Sequence, residues 1–251
     1  MQKKSKKVTV TAHTLVKNEE NFIWYAIMSV LPYVDKMIVF DTGSTDKTVP
    51  IIKKILKTKE GKGKIHFEEK GEVDKQGHTD LRNEMIKMTK TDWFMILDGD
   101  EVWPEEEIRY LLSNELYDAM KTSKRVIMVN YHLCSVDLKH YSESGHFFTS
   151  WGYHGHFTYR LFKNTSGISW KGEYLKDKLF YDKNIPVNSR KNTLYSTAFF
   201  WHLSKLRRSS GDKKVIFRKK PSKLNFIPRF LRPLFAKKYP LEVPNILNAN
   251  K

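Results

Sequence analysis

Cysteine is almost missing: Cys134 is the only one in 251 residues. A single thiol closes no intrachain disulfide and builds no four-cysteine zinc site, so nothing points to a bridge-stapled secreted scaffold and a reducing compartment is expected. Glycine (12) and proline (9) are few, which excludes collagen-like and low-complexity sequence. No run approaches the roughly 18–20 apolar residues that a spanning helix needs. The basic start at Lys3, Lys4, Lys6 and Lys7 leads into an apolar stretch broken by Thr9, Thr11, His13 and Thr14 and closed by charge at residues 17–20. That is not a signal-peptide pattern, and the expected location is cytoplasmic. What the chain does have, 40% hydrophobic and 13% aromatic residues, is ample for one large α/β domain.

Acidic residues are outnumbered, 28 to 45, and the imbalance is local. Residues 205–251 carry 14 Lys/Arg against Asp212 and Glu242, a net +12 of the chain's +17. The composition break near Ser204 divides the chain into residues 1–204, one catalytic-type domain, and a basic tail, 205–251. In the tail Phe226, Ile227, Phe230, Leu231, Leu234 and Phe235 alternate with Arg229, Arg232, Lys237 and Lys238, which suits peripheral contact with an anionic membrane, here the inner membrane face. Five of the nine prolines fall here and prevent one long helix. A solvated basic tail reads equally well. Nucleic acid attracts the same charge, but no zinc-finger or helix-turn-helix spacing supports a specific nucleic-acid partner.

Hydrophobic periodicity predicts strand over 8–16, helix over 22–30, strand over 37–40, helix from about Pro50, strand over 64–68, helix over 81–88 and strand over 93–97. Strands at 126–132, 159–162 and 197–202 follow. Such alternation implies a mostly parallel central sheet with helices on both faces, with ligands bound beyond the carboxyl ends of the strands. Residues 17–19, 41–44 and 98–101 each come directly after a strand, so they are expected to share one edge.

Asp98-Gly99-Asp100 is the sharpest of these clusters. Two carboxylates flanking a glycine suit a hard divalent cation such as Mg²⁺ or Mn²⁺; an acidic turn favouring the next helix N-terminus is the plainer reading. Asp41 in Asp41-Thr42-Gly43-Ser44 offers an acceptor for a base or ribose, or an ordinary helix cap. His140, His146, His154 and His156 lie among aromatic residues without compact zinc spacing. Aromatic faces with polar tips suit a sugar ring, so Trp151, Tyr153 and His154 are the acceptor-binding candidates.

The series Thr14 to Glu20 (TLVKNEE), Val34 to Asp46 (VDKMIVFDTGSTD), Asp80-Leu81-Arg82-Asn83 and Leu97-Asp98-Gly99-Asp100-Glu101 resembles family 2 of the glycosyltransferases, particularly the bacterial lipopolysaccharide and cell-surface glycan subgroup. The resemblance is firm over about residues 8–110 and weaker through Arg160 to Asn164, residues 167–172 and Trp201-His202. It implies a GT-A fold and metal-dependent transfer of a sugar from a nucleotide-diphospho-sugar donor to a hydroxyl of a glycan or lipid-linked acceptor, with inversion. It implies that Val16, Lys17, Asn18, Asp41, Gly43, Ser44, Arg82 and Asp98 border the donor, and that Asp98, Asp100 and His202 surround Mn²⁺ or Mg²⁺. Thr42 stands where many relatives carry a second Asp. The His-Glu pair common after a glycine like Gly172 is missing. Glu173 and Asp177, with Glu101 behind them, are the nearest candidates for the base that an inverting displacement needs. A nucleotidyltransferase of similar fold, or a catalytically weak anionic-surface binder, are the rival readings.

Overall fold

The computed structural model describes residues 7–134, 140–142, 156–181, 185–187, 189, 191–212 and 237–238. Its first half is a run of βα units: β1 (Val10–Val16), α1 (Ile23–Val30), β2 (Lys36–Asp41), α2 (Thr48–Ile55), β3 (Ile65–Glu69), α3 (Lys75–Met88) and β4 (Trp93–Ile96). These strands lie in the order β3-β2-β1-β4, all parallel. β1, β2 and β4 are buried over most of their length, as parallel strands covered on both faces are, whereas β3, at the sheet edge, has no fully buried residue. Helix α3 begins six residues before the apolar periodicity does, because Asp74 caps it by accepting from Gly77 N at 2.7 Å and its first turns are polar.

The second half extends the sheet beyond β4. β5 (Glu101–Val102) is followed by α4 (Glu105–Tyr110), a π-turn over Leu111–Glu115, and α5 (Leu116–Lys121). β6 (Val126–Cys134) and β8 (Phe157–Lys163) are antiparallel to one another, and β8 is antiparallel to β4. β12 (Thr193–His202) returns parallel to β6 and ends antiparallel to β5, with His202 opposite Glu101. β7 (His140–Ser142) pairs with β6, and β13 (Lys237–Lys238) with β7. A separate small sheet, β9 (Ser169–Lys171), β10 (Lys178–Tyr181) and β11 (Ile185–Pro186), is absent from the periodicity of the sequence.

One face packs Ile23, Ile27, Ile52, Ile55, Ile108 and Leu116 of α1, α2, α4 and α5 against Ala12, Val39, Met95 and Phe200. On the other face, Leu81 and Met85 of α3 cover Ile38 and Phe40, while Ile86 joins Leu179 and Tyr181 of the small sheet over Phe94 and Phe162. Helices therefore flank both faces, and the loops after β1, β2 and β4 meet at one edge. Among the described residues no helix is long and apolar enough to cross a membrane.

Candidate active site

The loops after β1 and β2 are tied together by their own polar side chains. Asn18, at φ 56°, takes the left-handed conformation that asparagine tolerates. Its N–H donates to Ser44 Oγ (2.9 Å) and its Oδ1 accepts from Thr45 N (2.8 Å). Asn18 and Ser44 are thus committed to holding the loops, and buried Thr42 donates from N and Oγ1 to Val16 O. Thr42, 1% exposed, ties the ends of β1 and β2 together. Gly43, at φ +89°, lies against the Glu72 backbone, so a side chain there would meet Glu72 N at 3.0 Å. Lys17 is paired with Glu72 (2.9 Å) across this loop.

Asp41 is buried, with Oδ1 accepting from Gly43 N (3.0 Å) and Ser44 N (2.9 Å). Its Oδ2 is buried with no protein partner. A buried acceptor left open costs about 1–3 kcal/mol, which a ligand N–H or O–H removes.

The acidic turn after β4 gathers partners from far along the chain. Arg160 on β8, buried, donates through Nη2 to Asp98 Oδ2 (3.0 Å) and to fully buried Glu101. Its guanidinium lies 5.3 Å from the Phe200 ring centroid. Burial opposes its charge, but Glu101 and Asp98 outweigh that and push its pKa up. Burial raises the Glu101 carboxyl against the pull of Arg160. Asp100 is buried, and His202 Nε2 lies 3.6 Å from its Oδ1. Burial works to raise Asp100, but contact with His202 outweighs it and holds the carboxyl low; the same contact overcomes burial and raises His202. Tyr131 on β6 meets His202 edge-on at 5.1 Å and stacks on His156 at 5.0 Å.

Glu19 lies beneath this turn: a side chain on Gly99 would meet Glu19 Cγ at 2.9 Å. Burial, then the charge of Asp100, pushes its pKa up to about 9, and Arg208 Nη1 donates to its Oε1 at 2.8 Å.

Hard carboxylate oxygens beside a half-buried imidazole fit Mn²⁺ or Mg²⁺. Among the described residues no group of three or more His, Cys, Asp or Glu closes around a common point. Asp100 and His202, with Asp98 beside them in the turn, are the residues that would hold such a cation.

On α3, Arg82 donates to Asp177 Oδ2 (2.6 Å) and lies 4.8 Å from the Trp170 and 5.4 Å from the Tyr174 ring centroid. Tyr174 stacks on His78 at 4.6 Å. Asp177 and Glu101 are thus each committed to an arginine. Of the three carboxylates expected as base, Glu173 alone is exposed. Trp151, Tyr153 and His154 lie outside the described residues.

Three site residues escape the sequence reading. Arg160 had a signal, a lone charge inside the apolar strand pattern Tyr-Arg-Leu-Phe. Glu19 was visible only as part of a polar loop, and Arg208 was indistinguishable from the rest of a basic run.

Comparison with known proteins agrees with this geometry. The glycosyltransferase SunS of Bacillus subtilis (strain 168), encoded by the SPbeta prophage, is 24% identical over 187 residues, covering 74% of this chain. The SunS of Bacillus phage SPbeta matches equally. This chain spans only 38% of the length of either relative. The S. aureus TarS 1–349 structure in complex with UDP-GlcNAc superposes with a TM-score of 0.51 at 13% identity, over 87% of this chain and 63% of that one. That likeness speaks for the fold, which is GT-A. Residues 11–204 match the model of the family described as glycosyl transferase family 2, and the chain belongs to that family.

Proposed function

We propose that the protein transfers a sugar from a nucleoside-diphosphate donor to a hydroxyl of a glycan or lipid-linked acceptor, with inversion and with Mn²⁺ or Mg²⁺ as cofactor. The observation that carries this reading is the pairing, at one sheet edge, of the open buried Asp41 Oδ2 with the Asp100–His202 contact. Asp41 accepts a hydrogen bond from the base or ribose, and Val16, Lys17 and Gly43 border the nucleoside. Asp98, held through Oδ2 by Arg160 and still 45% exposed, faces the ribose. Asp100 and His202 would hold the cation, which would offset charge developing on the departing diphosphate. Glu173 takes the proton of the acceptor hydroxyl as its oxygen attacks the anomeric carbon. Trp151, Tyr153 and His154, outside the described residues, are the acceptor-binding candidates by the chemistry of their side chains. The basic tail holds the protein at an anionic membrane surface on the cytoplasmic side.

The test is calorimetric titration with a panel of nucleotide sugars, with Mn²⁺, with Mg²⁺ and with neither, alongside assays of slow donor hydrolysis. Cation-dependent binding of one nucleotide series is expected. Absence of binding by every donor in both cations overturns the reading.

A further inference from the structure

Beyond β12 the chain crosses the loop that follows β1. Asn21 N donates to Arg208 O (3.0 Å), Asn21 Nδ2 donates to Arg207 O (2.9 Å), and Ser210 N donates to Glu20 Oε1. Leu203 N donates to Asp100 O at 2.8 Å, and Leu206 packs on the cluster around Trp201. The backbone of residues 203–210 is therefore anchored beside the acidic turn by contacts that do not involve the Arg208 side chain.

That side chain is 46% exposed, whereas its partner Glu19 is 6% exposed. Nη1 is the one guanidinium nitrogen with a protein partner among the described residues. A guanidinium has five N–H groups in a fixed fork, so four remain for a ligand. Burial opposes the charge on Arg208, but Glu19 and Asp100 outweigh it and keep the group cationic. The result is a fixed, half-exposed cation beside Asp100, a geometry matched to bidentate binding of phosphate oxygens.

We propose that Arg208 binds the diphosphate of the sugar-nucleotide donor and stabilises it as leaving group, an inference that rests on the donor reading above. In the transfer, the bond between the anomeric carbon and the terminal phosphate oxygen breaks and its electron pair stays on that oxygen. The acceptor oxygen forms the new bond, and its proton passes to Glu173. Arg208 N–H groups meet the negative charge gained by the phosphate.

The test compares wild type, Arg208→Gln, Arg208→Lys and Glu19→Gln in titrations with uridine, UMP and UDP, and with the guanosine series, in Mn²⁺. Arg208→Gln is expected to weaken diphosphate binding about tenfold or more while nucleoside binding changes by less than about twofold. Arg208→Lys, which keeps charge but loses the fork, falls between them. Glu19→Gln removes the carboxyl, leaves an amide oxygen to accept from Nη1 and keeps the arginine, so diphosphate binding persists. Equal weakening of nucleoside and diphosphate by Arg208→Gln makes Arg208 a structural tie only and overturns the proposal, as does unchanged diphosphate binding. If wild type binds nucleosides but no diphosphate of either series, this proposal falls while the nucleoside site stands. If it binds none of the six compounds, the donor reading falls with it.

Discussion

At the acidic turn the two halves of the protein contribute opposite charges. Glu19, Asp41, Asp98 and Asp100 lie at the ends of first-half strands that parallel pairing brings to one edge, and Glu101 opens β5 directly behind them. The cations at the acidic turn, Arg160, His202 and Arg208, all come from the second half, across sequence separations of 62 residues for Arg160–Asp98 and 189 for Arg208–Glu19. The acidic half is assembled from local units and the basic half by long-range closure. The acids are thus placed by simple topology, and their ionisation is decided by a later part of the chain.

The comparison breaks most sharply at Asp100. Asp100→Asn keeps the shape and removes a buried charged donor, so cation-dependent binding of nucleoside diphosphate is expected to vanish while far-UV circular dichroism is unchanged. Calorimetry with and without Mn²⁺ checks it, and retained cation dependence moves the metal site elsewhere.

Next in size is the joint between the halves. Arg160→Met strands Glu101 in a site where its side chain is 0% exposed, and breaking a buried pair from one side costs about 3–5 kcal/mol. The double variant Arg160→Met/Glu101→Gln removes both charges and should recover much of that loss in urea unfolding. If the single and double variants are equally destabilised, packing of Arg160 on Phe200 outweighs its charge.

Asp41→Ala tests the first half alone. It is expected to weaken nucleoside binding about tenfold, or ~1.4 kcal/mol, leaving Mn²⁺ binding unaltered; loss confined to the metal reverses the roles of the two acidic clusters.

The last test is a pH slope. Burial lowers His13 to about 3, with its Nε2 2.6 Å from Thr89 Oγ1 and its ring stacked on Phe94 at 4.9 Å. Because the folded state keeps His13 neutral while the unfolded chain takes up a proton below its ordinary value of 6.5, stability is fully present above that value. It is lost as pH falls from 6.5 towards 3, by at most about 1.4 kcal/mol per pH unit. His13→Gln should flatten that part of the stability–pH curve, measured by urea unfolding. A slope unchanged in the variant assigns it to other groups.

Much of the parallel half was legible from residue pattern. Continuous apolar runs at 37–40 and 93–97 marked buried strands, and the polar clusters behind them marked the edge. The small sheet was not legible, because Ser169–Lys171 and Lys178–Tyr181 are too short and mixed for either period to register. Nor was the bend in β12, whose register shifts between Tyr195 and Phe199. There Ser196 Oγ donates to Glu115, and Glu115 Oε1 accepts from Thr197 N at 2.7 Å, so a carboxylate from the π-turn replaces ladder hydrogen bonds.

By itself the sequence determined the βα alternation, the edge on which Asp41 and Asp98 to Glu101 meet, and the concentration of positive charge after residue 204. Those are consequences of local periodicity and of residues a few positions apart, which short-range sterics and burial dictate. Only the tertiary structure decided that Glu101 and Asp177 are spent on arginines, that Asn18, Ser44 and Thr42 serve as ties, and that Arg208 reaches Glu19 beside Asp100. Each depends on a partner from a distant element, and electrostatic contact falls off over a few ångströms of space whatever the separation along the chain.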